Sequence, residues 1–107
     1  MQHFVNSPED IAQALAAPVA LLYKHSDTCP VSAMAQREID RLEHDRPDLD
    51  IWVVDVHAQR ALSREIAERF TIRHESPQAI LVRDGTAVWH SSHYGVTARA
   101  IEGELPD

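Results

Sequence analysis

With 107 residues, 44% of them hydrophobic, the chain has enough apolar surface for one compact domain over residues 1–107 and too little length for two. A formal net charge of -7 excludes nucleic acid as an expected partner, because phosphate neutralisation needs a basic surface, and it disfavours an anionic membrane. The longest apolar runs are strand-length, far short of a bilayer span, and a single cysteine rules out an internal disulfide and a Cys-based zinc site.

The opening residues have no charged start followed by an apolar core, so no export signal is expected, and a free thiol then fits the reducing cytoplasm. His3-Phe4-Val5 reads as a short strand. Ser7-Pro8-Glu9-Asp10 reads as a helix start, with Ser7 as cap, Pro8 at the first position and acids in the first turn. Ile11, Ala14 and Leu15 then share a face, and Pro18 closes the segment. Residues 19–23 are a continuous apolar run, the pattern of a strand covered on both sides. Residues 30 to about 44 place Val31, Ala35, Ile39 and Leu42 at helical spacing. Residues 51–54 repeat the buried-strand pattern, and Leu62, Ile66 and Phe70 form the stripe of a third helix. A third apolar run at 79–82 is followed by Asp84-Gly85, a strong hairpin signal, and by a strand at 87–89. Residues 90–95 read as a polar loop, and Thr97 as the cap of a short last helix reaching Glu102. Strand and helix alternate, then a hairpin follows. That order implies an α/β fold whose sheet mixes parallel and antiparallel strands, with helices on its faces.

The one thiol sits where chemistry favours it. Cys29 follows a strand and a short polar loop and immediately precedes Pro30. Proline suits the first helical position because the N–H it lacks would be unpaired there. Cys29 is therefore expected at the helix N-cap, where free N–H groups and the helix dipole stabilise a thiolate. Cys29-Pro30-Val31-Ser32 is a C-x-x-C redox pattern with the second cysteine replaced. A serine hydroxyl cannot resolve a mixed disulfide, but it can donate a hydrogen bond to the thiolate; an external thiol must then do the resolving. An ordinary first-turn serine bonded to backbone is the competing reading for Ser32. Lys24 is either an electrostatic aid to Cys29 or a solvated strand-end lysine, and the second is the expectation. Of the seven histidines, His25 is the one expected to touch the site, and no spacing such as H-E-x-x-H announces a metal. Ser76-Pro77 stands just before a strand, where proline forfeits a ladder bond. An Arg six residues after the cysteine, as a phosphatase loop needs, is missing, since position 35 is Ala.

Three segments together resemble a known family. Tyr23-Lys24-His25-Ser26 with Thr28-Cys29-Pro30-Val31-Ser32, then His74-Glu75-Ser76-Pro77-Gln78, then Trp89-His90-Ser91-Ser92-His93-Tyr94 with Val96-Thr97, resemble the monothiol bacilliredoxins of the YtxJ type, redox proteins of the bacillithiol system. The resemblance spans nearly the whole chain. It implies a thioredoxin-like fold, a central mixed five-stranded sheet flanked by about four helices, with the first strand beside the third, then the second, fourth and fifth. It implies that Pro77 is a cis-proline facing Cys29. It implies a monothiol thiol–disulfide oxidoreductase in which Cys29 is the catalytic nucleophile and Pro30, Val31 and Ser32 stabilise its thiolate. His25, Thr28, Ser76 and Pro77 are the expected substrate contacts. Partners would be S-bacillithiolated proteins and a low-molecular-weight thiol, with bacillithiol as thiol co-substrate, no other cofactor and no metal. Two non-enzymatic uses of the fold compete: an iron–sulfur carrier like the monothiol glutaredoxins, whose Cys-Gly-Phe-Ser is absent here, and a protein-binding adaptor.

Overall fold

A computed structural model describes residues 1–106. The elements run β1 (Gln2–Phe4), α1 (Pro8–Ala16), β2 (Val19–His25), α2 (Pro30–Asp45), β3 (Asp50–Asp55), α3 (Arg60–Phe70), β4 (Gln78–Arg83), β5 (Thr86–Ser92), a 3-10 turn (His93–Gly95) and α4 (Ala98–Glu104). The sheet order is β1-β3-β2-β4-β5, the order the resemblance implies. β1, β3 and β2 are parallel, whereas β4 and β5 join antiparallel.

Side chains on a strand alternate between faces, so each central strand feeds two cores. Leu21, Tyr23, Ile51, Val53 and Leu81 face α2 and α4, where Ala35, Ile39, Leu42 and Ile101 meet them. Ala20, Leu22, Trp52, Val54, Ile80 and Val82 face α1 and α3, meeting Ile11, Ala14, Leu62 and Ile66. That double burial is why these runs show no polar alternation.

Caps and turns follow the local chemistry. Pro8 and Pro30 open α1 and α2, and the Thr97 hydroxyl accepts from Ala100 N at 3.1 Å to start α4. Asp84 and Gly85 take φ of 51° and 80°, and Arg83 pairs with Thr86 across a two-residue hairpin. The ladder slips one residue between Leu81 and Val82, and Val88 is half-exposed on the edge strand.

The fold departs from the sequence expectations in two places. β2 and β5 run on into polar residues: Lys24 and His25 belong to β2, and His90 to Ser92 extend β5 where a loop was expected. Backbone pairing to β3 and β4 holds both extensions; in β5 His90 stays exposed, whereas Ser91 and Ser92 are half-buried. No helix among the described residues is long and apolar enough to cross a membrane.

Candidate active site

The loop between β2 and α2 places the thiol. Cys29 N donates to Ser26 O at 3.3 Å, closing a tight turn, and α2 begins at Pro30. Cys29 takes the N-cap position, as its neighbours imply. The residue is half-buried, and its side chain completes no capping hydrogen bond of its own. The N–H groups of Ser32 and Val31 nevertheless act on it, with a smaller contribution from the Ser32 hydroxyl, and together they hold the thiol below an ordinary cysteine despite slight desolvation. Ser32 is fully buried, and its hydroxyl oxygen also accepts from Ser26 N at 3.2 Å. The serine thus ties the loop to the first turn of the helix and also touches the sulfur's electrostatics.

This sets a measurable expectation. The rate of Cys29 alkylation against pH should inflect below that of a free cysteine, and Ser32→Ala should move the inflection up only part of the way. The backbone N–H groups remain in that variant, and they are the larger influence. An inflection in the wild type at or above the free-cysteine value contradicts this electrostatic account.

Beneath the loop, Tyr23 is buried, with its hydroxyl 3.3 Å from Ser32 O, to which it donates, and 2.9 Å from His25 Nδ1. His25 Nε2 lies 2.9 Å from Asp27 Oδ1. Burial pushes the Tyr23 phenol well above its usual range, with Asp40 adding to the effect, so it stays a neutral donor. His25 therefore ends β2 at the mouth of the site loop, held between Tyr23 and Asp27. Thr28 is exposed directly before the cysteine.

The Ser76–Pro77 peptide is cis. Gln78 pairs with Lys24 across β2 and β4, which brings the proline loop to the same end of the sheet as the cysteine loop. Ser76 makes no backbone hydrogen bond among the described residues, and its hydroxyl is buried without a partner. The flanking Glu75 is anchored to the end of β5. Ser92 Oγ donates to Glu75 Oε2, and His93 Nδ1 lies 3.5 Å from the same oxygen. The Ser92 hydrogen bond is the main reason the Glu75 carboxyl is held below its usual range. The second and third sequence motifs meet in this tether.

Lys24 corrects the sequence reading. The chain's only lysine is not solvated: it is fully buried on the α1/α3 face of β2. Its Nζ sits 3.1 Å from His74 Nδ1, and burial lowers its pKa to about 8. It is not among the groups that act on Cys29. His57 is a site neighbour that the sequence does not reveal. Asp55 Oδ1 accepts from the His57 and Ala58 N–H groups at 3.0 and 3.1 Å, which turns the chain after β3. That turn brings His57 Nε2 to 2.9 Å from Ser26 Oγ and 3.3 Å from Thr28 Oγ1. An Asp at a strand end before a turn was the available signal. His90 and His44 stand apart from this cluster on exposed positions.

Comparison with solved structures agrees with the architecture. A candidate oxidoreductase with a thioredoxin fold superposes with a TM-score of 0.90 at 29% identity, over 95% of this chain and 91% of that one. A Trxlp from Edwardsiella tarda gives 0.74 at 25% identity, over 97% and 98% of the two chains. A mutant thioredoxin from Halobacterium salinarum gives 0.75 at 20% identity, over 99% and 94%, a likeness of fold. The fold is thioredoxin-like, and with the family match it makes this a thiol oxidoreductase in general terms. The monothiol bacilliredoxin BrxC family matches residues 4–101, from β1 through the core of α4, and the chain belongs to that family.

Proposed function

We propose that this protein removes a low-molecular-weight thiol, bacillithiol or a close chemical equivalent, from S-thiolated proteins, with Cys29 as the nucleophile. The observation that supports this most is a half-buried cysteine of lowered pKa at the start of α2 in a chain with no second cysteine. The Cys29 thiolate attacks one sulfur of the mixed disulfide. A new S–S bond forms to Cys29, the old one breaks, and the departing thiolate leaves with the electron pair and takes a proton from water. A second thiolate then attacks the Cys29 adduct and restores the free cysteine, so the electrons come from the external thiol.

Pro30, Val31 and Ser32 form the turn that stabilises the attacking thiolate. Ser76 offers an unpaired backbone to the extended segment carrying the disulfide, in the manner of strand addition, and Pro77, whose carbonyl accepts from His93 N at 2.9 Å, holds the loop in place. His25, which ends β2, and Thr28, directly before Cys29, are the proposed contacts to the incoming substrate. The site acts in the cytoplasm, where thiols are kept reduced and S-thiolation is reversible.

Intact mass spectrometry tests the reading. Protein treated with oxidised bacillithiol, cystine or oxidised glutathione should gain one adduct, on Cys29, fastest with bacillithiol. Excess thiol should remove it. Failure of every disulfide to modify Cys29 overturns the oxidoreductase assignment, and equal rates for all three overturn the thiol preference.

A further inference from the structure

Beside the site lies a cavity of about 360 Å3 that none of these roles uses. Its polar lining is His57, Arg60, Ser63, Arg64 and His74, and no carboxylate lines it. In a chain of net charge -7 that is a local reversal of sign. Arg60 and Arg64 stand four residues apart on one face of α3, where like charges repel. Among the described residues neither has a carboxylate within ion-pair distance.

Lys24 acts on the cavity through His74, which lines it. Its ammonium can only donate, so His74 Nδ1 accepts at 3.1 Å, and Ser63 Oγ lies 3.2 Å from the same nitrogen. The ring proton is thereby fixed on Nε2, which leaves that nitrogen a donor. The cavity therefore combines two unpaired guanidinium groups with a lining histidine whose tautomer is set by Lys24. Its rim reaches both halves of the site: His57 contacts Ser26 and Thr28, and His74 leads into the Ser76–Pro77 loop.

We propose that this cavity is an anion subsite that takes a carboxylate of the low-molecular-weight thiol exchanged at Cys29. The inference rests on the thiol-exchange reading above. Guanidinium groups match a carboxylate with paired donors. A small anion feels the local field of the cavity, whereas a polyanion meets the repulsion of the whole negative surface.

The test is the rate at which symmetrical disulfides modify reduced Cys29, followed by intact mass, with each attack releasing one thiolate. The probes are the disulfides of mercaptosuccinate, which bears carboxylates, and of 2-mercaptoethanol, which is neutral. Arg60→Gln/Arg64→Gln should slow the mercaptosuccinate reaction about tenfold and leave the 2-mercaptoethanol rate unchanged. Arg69→Gln/Arg99→Gln removes the same charge from exposed positions outside the cavity and should leave both rates unchanged. No slowing in the first variant, or equal slowing in the second, overturns the subsite while leaving thiol exchange intact. If the neutral probe fails to modify Cys29, the exchange reading falls and takes the subsite with it. A third arm uses 2-mercaptoethanol disulfide-linked to a cysteine peptide with flanking aspartates. Slowing there, without slowing for mercaptosuccinate, assigns the carboxylate to the target protein and overturns the proposal.

Discussion

Cys29→Ser is expected to accept no adduct at all, and the wild-type protein is expected to stop after one equivalent when no other thiol is present. Both follow from counting sulfurs. The chain has one thiol among its three sulfurs, and resolution of the mixed disulfide needs a second thiolate. The hydroxyl of Ser32 occupies the position from which a C-x-x-C protein would resolve, but an alcohol is a far weaker nucleophile than a thiol at neutral pH. Added thiol should restore turnover at a rate set by its concentration. Ser32→Cys should convert the protein to a form that releases the adduct unaided and accumulates an internal disulfide. Gel and mass measurements of adduct released per protein check each arm. Sustained release by the wild type without added thiol, or any transfer by Cys29→Ser, contradicts the single-cysteine mechanism.

Ile39→Ala should destabilise the fold by about 3 kcal/mol, the cost of removing a large aliphatic group from a packed core and leaving a cavity. Ile39 is fully buried on α2, against the sheet face that also carries Leu21 and Tyr23. For a domain of this size the loss corresponds to a fall in Tm of roughly 12–24 °C. Met34→Ala on the same helix removes a half-exposed side chain and should change stability by less than about 0.5 kcal/mol. Urea unfolding of both variants checks the contrast. An Ile39→Ala cost no greater than that of Met34→Ala would mean that α2 is not seated on the sheet through this contact. Because α2 carries the first turn around Cys29, the same variant should also show broadened thiol reactivity before global unfolding.

The central strands were legible in the sequence because two-sided burial removes every polar position from β2, β3 and β4 except at their ends. Pro30, Asp84-Gly85 and Thr97 were legible for a different reason: each encodes its backbone conformation locally. The cis Ser76–Pro77 bond came from the family resemblance and not from the residues around it. What could not be read was long-range polar pairing. A lysine at the end of an apolar run is ordinarily solvated, and only His74, fifty positions away, supplies the partner that accompanies its burial. His57 shows the same limit, since its neighbours Ser26 and Thr28 come from a different crossover of the sheet. The polar extension of β5 was missed because its backbone pairs with β4 without any apolar pattern, and the partner of Ser92, Glu75, lies seventeen positions away.

The burial of Lys24 has a consequence for the chemistry of the protein's exterior. The surface carries no lysine, so acylating agents and amine-directed modifying enzymes find no side-chain target on the folded molecule. Burial is what lowers the pKa of this one ε-amine to about 8, so opening both exposes it and returns it toward an ordinary lysine. Its acylation is then gated by transient opening of the sheet end that carries the thiol. A slow amine-labelling time course at Lys24 therefore acts as a clock for the breathing of that end, readable without touching the cysteine.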